Sequence, residues 1–270
     1  RGDWSNAGGN ITVDGTSTLE LEGDFTTADI GSIDNSAGGS IYINGDWDNT
    51  ADSFTFDTTS SHWILDGGEI AGGTLNQGTL GEGLRLAVNN NNRISNGLSY
   101  VGDLNFDIPA GRVVFESGAS FTGDANMAAN SSLLVFNETL TLDNKTVNMD
   151  ASGLQFGVGG NNTLTFGPNM LVRGRGTVDS DTLVSGNGQL INQGTIRADI
   201  SGQALNIDPD TLINSGTIEA INSAILNVGS TAAADSTSNT GNINALGGST
   251  VRLRGDWSNA GGNITVDGTS

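Results

Sequence analysis

Carboxylates are the most abundant reactive groups in this chain: 30 Asp and Glu stand against 10 Lys and Arg, with one His and no Cys. Two carboxylates about 5–10 Å apart across a groove could cleave a glycosidic bond, and a single base could drive an elimination. Asp46, Asp48, Asp57, Asp66, Asp103, Asp107, Asp179 and Asp181 all qualify by type. Their abundance marks out no pair. The histidine, His62, sits in Ser61-His62-Trp63-Ile64, where strand alternation turns Trp63 inward and His62 outward, so it is expected on the surface and not as a base. The absence of thiols removes cysteine nucleophiles, thiolate zinc sites and disulfide frameworks. The expectation is a protein that is not an enzyme, with no catalytic, cofactor-binding or metal-ligating residue assigned.

Three other patterns invite chemistry. Arg-Gly-Asp occurs at Arg1–Asp3 and at Arg254–Asp256, the tripeptide that cell-surface receptors read on flexible loops. Gly-Asp-aromatic recurs, however, at Gly23-Asp24-Phe25 and Gly45-Asp46-Trp47, which makes the tripeptide one rung of a repeating column. The residue before each Gly is Arg1, Glu22, Asn44 and Asp66, an outward position in which Arg1 and Glu22 would pair across coils. Gly8-Gly9-Asn10-Ile11-Thr12-Val13-Asp14 and Gly159-Gly160-Asn161-Asn162 partly resemble the calcium-binding Gly-Gly-x-Gly-x-Asp repeat but lack its third Gly and its period. They read as turn formers, leaving only weak calcium binding by the acidic surface. Trp4, Phe25 and Trp47, spaced 21 and 22, could stack sugars on a surface but are expected to form a core column.

The elements that must carry these residues are short strands. Leu19-Glu20-Leu21, Ile41-Tyr42-Ile43, Leu84-Arg85-Leu86, Leu164-Thr165-Phe166 and Leu205-Asn206-Ile207 alternate apolar and polar positions, the two-residue period of a strand with one buried face. Gly, Asn and Asp clusters separate them. Above that period lies another. Gly2, Gly23, Gly45 and Gly67 are spaced 21, 22 and 22, and Leu21, Ile43 and Leu65 keep the same step. Asn192-Gln193-Gly194-Thr195-Ile196 returns at the same spacing as Asn214-Ser215-Gly216-Thr217-Ile218, then after a longer step as Asn239-Thr240-Gly241-Asn242-Ile243. The extra residues of that last step are expected between Ser230 and Ser238, and Asn76-Gln77-Gly78-Thr79-Leu80 reads as an earlier copy.

Repeats of about 21–22 residues built from strands and turns predict an all-β fold, a single-stranded parallel β-helix or β-solenoid. The stretch from Gly186 to Val228, with Leu190-Ile191-Asn192-Gln193-Gly194-Thr195-Ile196 followed by Leu212-Ile213-Asn214-Ser215-Gly216-Thr217-Ile218, resembles the repeats of large secreted bacterial surface proteins, the filamentous-haemagglutinin-like adhesins and autotransporter passengers. The resemblance implies a right-handed helix, export to the cell surface, and a role as stalk or adhesive fibre. It carries over no receptor-binding residue.

One further pattern concerns the whole chain. Residues 254–270 repeat residues 1–17 letter for letter, so the unit is 253 residues, or about twelve coils at roughly 21 residues each. The expected organisation is one solenoid unit over 1–253, followed by the start of the next over 254–270. Neither end carries the atypical polar segment that closes a solenoid, so the array is expected to continue, with further copies of the unit as covalent partners. A net charge of −20 argues against nucleic acid or anionic lipid as a partner. Nothing suggests membrane insertion. Extracellular glycans remain the partner class for an adhesive face, the alternative to a purely structural rod, with a polysaccharide-degrading enzyme third.

Overall fold

The computed structural model describes residues 3–56, 62–79, 83–157, 161–180, 188–229 and 235–270. Arg1, Gly2, Asp57, Gly159, Gly160 and Asp181 therefore lie outside the described residues, and with them the Arg1–Glu22 pair. The chain is all-β, with parallel strands stacked as a β-solenoid of about 11 turns and 2% helix. It divides into two compact units, Arg1–Ala129 and Asn130–Ser270.

In the first unit the strands Thr18–Leu21, Ser40–Ile43, His62–Leu65 and Arg85–Leu86 lie side by side in parallel. Their pairing puts Leu21, Ile43, Leu65 and Leu86 in one column, and all four are buried. Each such side chain contributes roughly 1.5–3 kcal/mol when fully buried. Stacking identical positions lets every coil add the same increment. A second face carries Asp24–Thr26, Asp46–Asp48, Glu69–Ala71 and Arg93–Ser95, again parallel, with the column Phe25, Trp47, Ile70 and Ile94 inside. The one helix among the described residues is the single turn Thr27–Ile30, closed by Asp29, which accepts hydrogen bonds from the backbone N–H and hydroxyl of Thr26.

The glycine column differs from expectation by one residue. Asp46 pairs with Glu69, so Gly45 stacks on Gly68 and not on Gly67. Gly67 adopts φ 92° and absorbs the inserted residue in a turn that an L side chain would strain. The column itself is tight: a Cβ on Gly45 would run into the Gly23 carbonyl, and one on Gly68 into the Gly45 carbonyl.

In the second unit the strands Leu140–Leu142, Thr163–Phe166, Gln189–Asn192, Thr211–Asn214, Ser236–Asn239 and Asp256–Ser258 form one parallel sheet. Thr195–Ala198, Thr217–Ala220, Asn242–Ala245 and Asn263–Val266 form another face, stacking Ile196, Ile218, Ile243 and Ile264. The longer step falls where it is expected. Ile207 pairs with Val228, a step of 21, and Thr211 with Ser236, a step of 25, so the extra residues lie between Val228 and Ser236. Strand Leu171–Ser180 turns a corner along its own length. Its first half pairs with Thr195–Ala198 and its second with Ala204–Asp208, and Gly174 and Gly176 between them take φ 111° and 136°.

Candidate functional site

Side chains at equivalent positions of successive coils meet, and three of the candidate carboxylates, Asp66, Asp103 and Asp107, are spent in those meetings. Asp107 accepts an ion pair from Arg85 at 2.7 Å, Glu116 from Arg93 at 2.9 Å, and Glu219 from Arg197 at 2.6 Å. Asp66 accepts a hydrogen bond from Asn89 Nδ2 at 3.1 Å, and Asp103 from the Asp124 backbone N–H at 2.8 Å. Asp48 accepts from the Thr50 N–H and Asp14 from the Ser17 hydroxyl. These bonds hold both carboxyls below their ordinary value, chiefly through the Thr50 hydroxyl and the Ser17 hydroxyl respectively. Asp14, the acidic end of the partial calcium motif, thus closes its own turn.

The aromatic column is core. Phe25 and Trp47 are buried while Trp4 is half-buried, and ring centroids step by 5.0 Å from Trp4 to Phe25 and 6.0 Å from Phe25 to Trp47. Trp47 Nε1 donates to Thr27 Oγ1 at 2.9 Å, and that hydroxyl donates to Asn49 Oδ1 at 2.6 Å. Beside the column lies an open groove of about 630 Å³ whose lining includes Asp3, Asp24, Asp46, Phe25, Trp47 and Glu69. Asp24, Asp46 and Glu69 are register partners, so the groove wall is a ladder of acidic residues on strands about 4.8 Å apart. Such a wall can accept hydrogen bonds from hydroxyls, while Phe25 and Trp47, which also line the groove, are almost fully buried. Glu69 also accepts a hydrogen bond from the Ser95 hydroxyl.

His62 is half-buried beside the buried Trp63, paired in register with Ser40. Its Nδ1 is buried with no hydrogen-bond partner among the described residues. Among the described residues no three His, Asp or Glu side chains converge as a metal-holding group.

The structure brings together one carboxylate pair that spacing did not suggest. Asp179 lies opposite Asp208 in adjacent strands, a longer step than the one from Leu171 to Thr195, because residues 199–203 are inserted at a corner. Burial, then the charges of Asp208 and Asp210, push the Asp179 carboxyl up to about 7. Asp210 is itself engaged, accepting from the Ser180 hydroxyl and the Gly188 N–H at 2.7 Å each. Near neutral pH Asp179 can therefore retain its proton.

The most continuous feature is a ladder of buried amides. Asn192 Nδ2 donates to Asn214 Oδ1 at 2.7 Å, Asn214 Nδ2 to Asn239 Oδ1 at 2.6 Å, and Asn239 Nδ2 to Asn259 Oδ1 at 2.6 Å. The recurring Asn-x-Gly phrase builds it. Each Asn of that phrase also reaches the carbonyl of the Gly two positions on, as Asn214 does to Gly216 at 3.4 Å. Asn259, in Asn259-Ala260-Gly261, joins through the same phrase lengthened by Gly262, whose carbonyl its amide reaches at 3.1 Å. Asn76, read as an earlier copy, does not belong: its register partner is Val101, and its amide donates to Ser53 Oγ at 2.9 Å. In the described copy of Arg-Gly-Asp, Arg254 donates to Asn227 Oδ1 at 3.1 Å and Asp256 starts a strand paired with Ser236.

These features define a β-solenoid whose polar side chains largely bond coil to coil. Set against family models, curated proteins and solved structures, the chain matches none of them.

Proposed function

We propose that this chain is a repeat unit of a long extracellular fibre or adhesin stalk, assembled from head-to-tail solenoid units, and that its work is mechanical and not catalytic. The observation that carries this reading is the consumption of side-chain chemistry by the stack. Among the described residues five ion pairs join successive coils, an amide ladder runs through four coils, and aromatic rings fill the interior. The exact repetition of residues 1–17 at 254–270 supports covalent tandem copies as the partners. The excess of acidic residues, 30 against 10 basic in the chain, keeps such rods soluble and apart. About 11 turns at about 4.8 Å each advance on the order of 50 Å. Electron microscopy of polypeptides carrying one, two and four repeats tests the reading: length should grow by about that increment per repeat, and a length that fails to grow overturns it.

A glycan-binding face on the same rod is the second reading, favoured by the groove lined by Asp3, Asp24, Asp46 and Glu69. Binding to a glycan array that is lost in Asp24→Ala with Asp46→Ala would support it. Unchanged binding in that variant would remove this groove as the site.

A further inference from the structure

Residues 3–17 and 256–270 are identical in sequence and share a local fold, but they use opposite edges. In the first copy the Gly9 N–H donates to the Asn6 carbonyl and Ser17 Oγ to Asp14 Oδ1; in the second, the Gly262 N–H donates to the Asn259 carbonyl and Ser270 Oγ to Asp267 Oδ1. The first copy is covered on the side of the following coil. There Asn10–Thr12 pairs with Ser32–Asp34, Trp4 Nε1 donates to the Glu22 carbonyl at 2.8 Å, and Asn6 Nδ2 donates to the Ile30 carbonyl at 3.0 Å. The second copy is covered on the side of the preceding coil. Asn263–Val266 pairs with Asn242–Ala245, Trp257 pairs with Thr237, and Asn259 Oδ1 accepts from Asn239. The two sets of bonds do not compete, because one uses the amide hydrogen of the Asn and the other its oxygen.

We infer that the sheet edge formed by residues 250–266 takes residues 18–34 of the following repeat as its next coil, in one defined register. The inference rests on the tandem reading above and specifies its junction. Ile264 stands where Ile11 stands, so the column Ile218, Ile243, Ile264 continues onto Ile33 of the following repeat. Trp257 takes the place of Trp4 against Phe25, and Asn259 hands the amide ladder to the Ile30 carbonyl. Val266 is 62% exposed whereas its twin Val13 is 4% exposed, and the coil that covers Val13 is the one the junction supplies. Asn242 pairs with Asn263, a step of 21. Carried forward, that register sets Thr250–Leu253 beside Thr18–Leu21 and Arg252 opposite Glu20. Every ion pair among the described residues joins successive coils in this way, across 22 to 26 residues. The occupant is the next repeat of the same polypeptide, since in a separate folded chain residues 3–17 already cover this edge.

Cysteine pairs in a two-repeat polypeptide, residues 1–270 followed by 18–270, test the register. The chain has no cysteine of its own. Arg252→Cys in the first repeat is combined with Glu20→Cys in the second, or with Thr18→Cys as the pair displaced along the strand. Neighbours in adjacent strands lie about 4.8 Å apart, within disulfide reach, whereas the displaced pair lies about 8 Å apart, beyond it. Oxidation of the Glu20→Cys pair should be at least tenfold faster, read by mass spectrometry of the linked peptides. Thr265→Cys with Asp34→Cys of the second repeat is an independent pair with the same expectation. Equal rates, or faster linkage to Thr18→Cys, overturn the register. If the two-repeat protein has doubled length by electron microscopy while the links fail, the junction is wrong and the fibre reading stands. Failure of the length to double overturns both.

Discussion

Asn214 donates through Nδ2 to Oδ1 of Asn239 at 2.6 Å, and both side chains are buried although they lie on successive coils, far apart in the chain. The bond is one rung of a ladder in which each amide gives a hydrogen to the next coil and accepts one from the coil before. Buried amides are stable only while both halves are partnered. In the first member, Asn192, Oδ1 has no partner among the described residues, because the strand before it places Phe166 opposite.

Breaking the ladder at its middle should therefore cost more than the loss of one bond. Asn214→Ala leaves Asn239 Oδ1 without its donor and Asn192 Nδ2 with only its longer bonds to the Gly194 and Thr217 carbonyls. Destabilisation of about 1–3 kcal/mol is expected from one stranded buried acceptor and one weakened donor, measured by urea unfolding. Asn214→Asp should do at least as much harm, since a carboxylate cannot donate to Asn239 and would sit buried.

The glycine that follows each ladder Asn tests the backbone side of the same corner. A Cβ at Gly216 would run into the Gly194 carbonyl, and one at Gly241 into the Gly216 carbonyl. Coils are held by their pairing and cannot move apart to make room. Gly216→Ala should destabilise by about 1–3 kcal/mol through overpacking, read as a lowered denaturation midpoint. Equal stability would show that the coil spacing there is softer than the structure shows.

Asp179 makes the stack sensitive to pH. Its folded value of about 7 lies above the ordinary 3.8, so protonated Asp179 stabilises the fold below about pH 4, and that contribution fades as pH rises through 7. Asp179→Asn removes the repulsion with Asp208 at every pH. The variant should exceed the parent by about 1–2 kcal/mol at pH 8, a figure reduced for solvent screening, with the advantage vanishing by about pH 4. Denaturation of both proteins across pH 4–8 checks this, and a pH-independent difference would assign the effect to packing.

Much of the fold was legible in the sequence because its determinants are local. Alternation at Leu19-Glu20-Leu21 or Leu205-Asn206-Ile207 states which side chains turn inward, and Gly, Asn and Asp state where the chain bends. The constant step of Leu21, Ile43 and Leu65 then predicts their column, and the structure stacks them so. The aromatic column follows the same logic, although Trp4 is only half-buried. What the letters could not settle is register wherever a coil gains residues. Gly67 and Gly68 are equivalent in sequence, but only pairing of Asp46 with Glu69 selects Gly68. Asn76 carries the ladder phrase, yet its neighbours are Val101 and Ser53, while Asn259-Ala260-Gly261 carries it with an extra glycine before Asn263-Ile264 and completes the ladder.

Sequence by itself determined that this chain is an all-β stack in which one stretch recurs exactly, since strand alternation, turn chemistry and duplication are properties of the letters. Tertiary structure alone decided which residues meet. Asp208 faces Asp179 because the insertion at residues 199–203 lengthens that step relative to the one joining Leu171 to Thr195. An insertion costs little where it leaves the stack at a corner, yet it shifts every later side chain relative to the coil before. The interior tolerates such shifts because columns of Ile, Leu and Val are interchangeable. Polar partners are not, so the acidic pair and the amide ladder depend on a sum of turn lengths that only the folded chain makes visible.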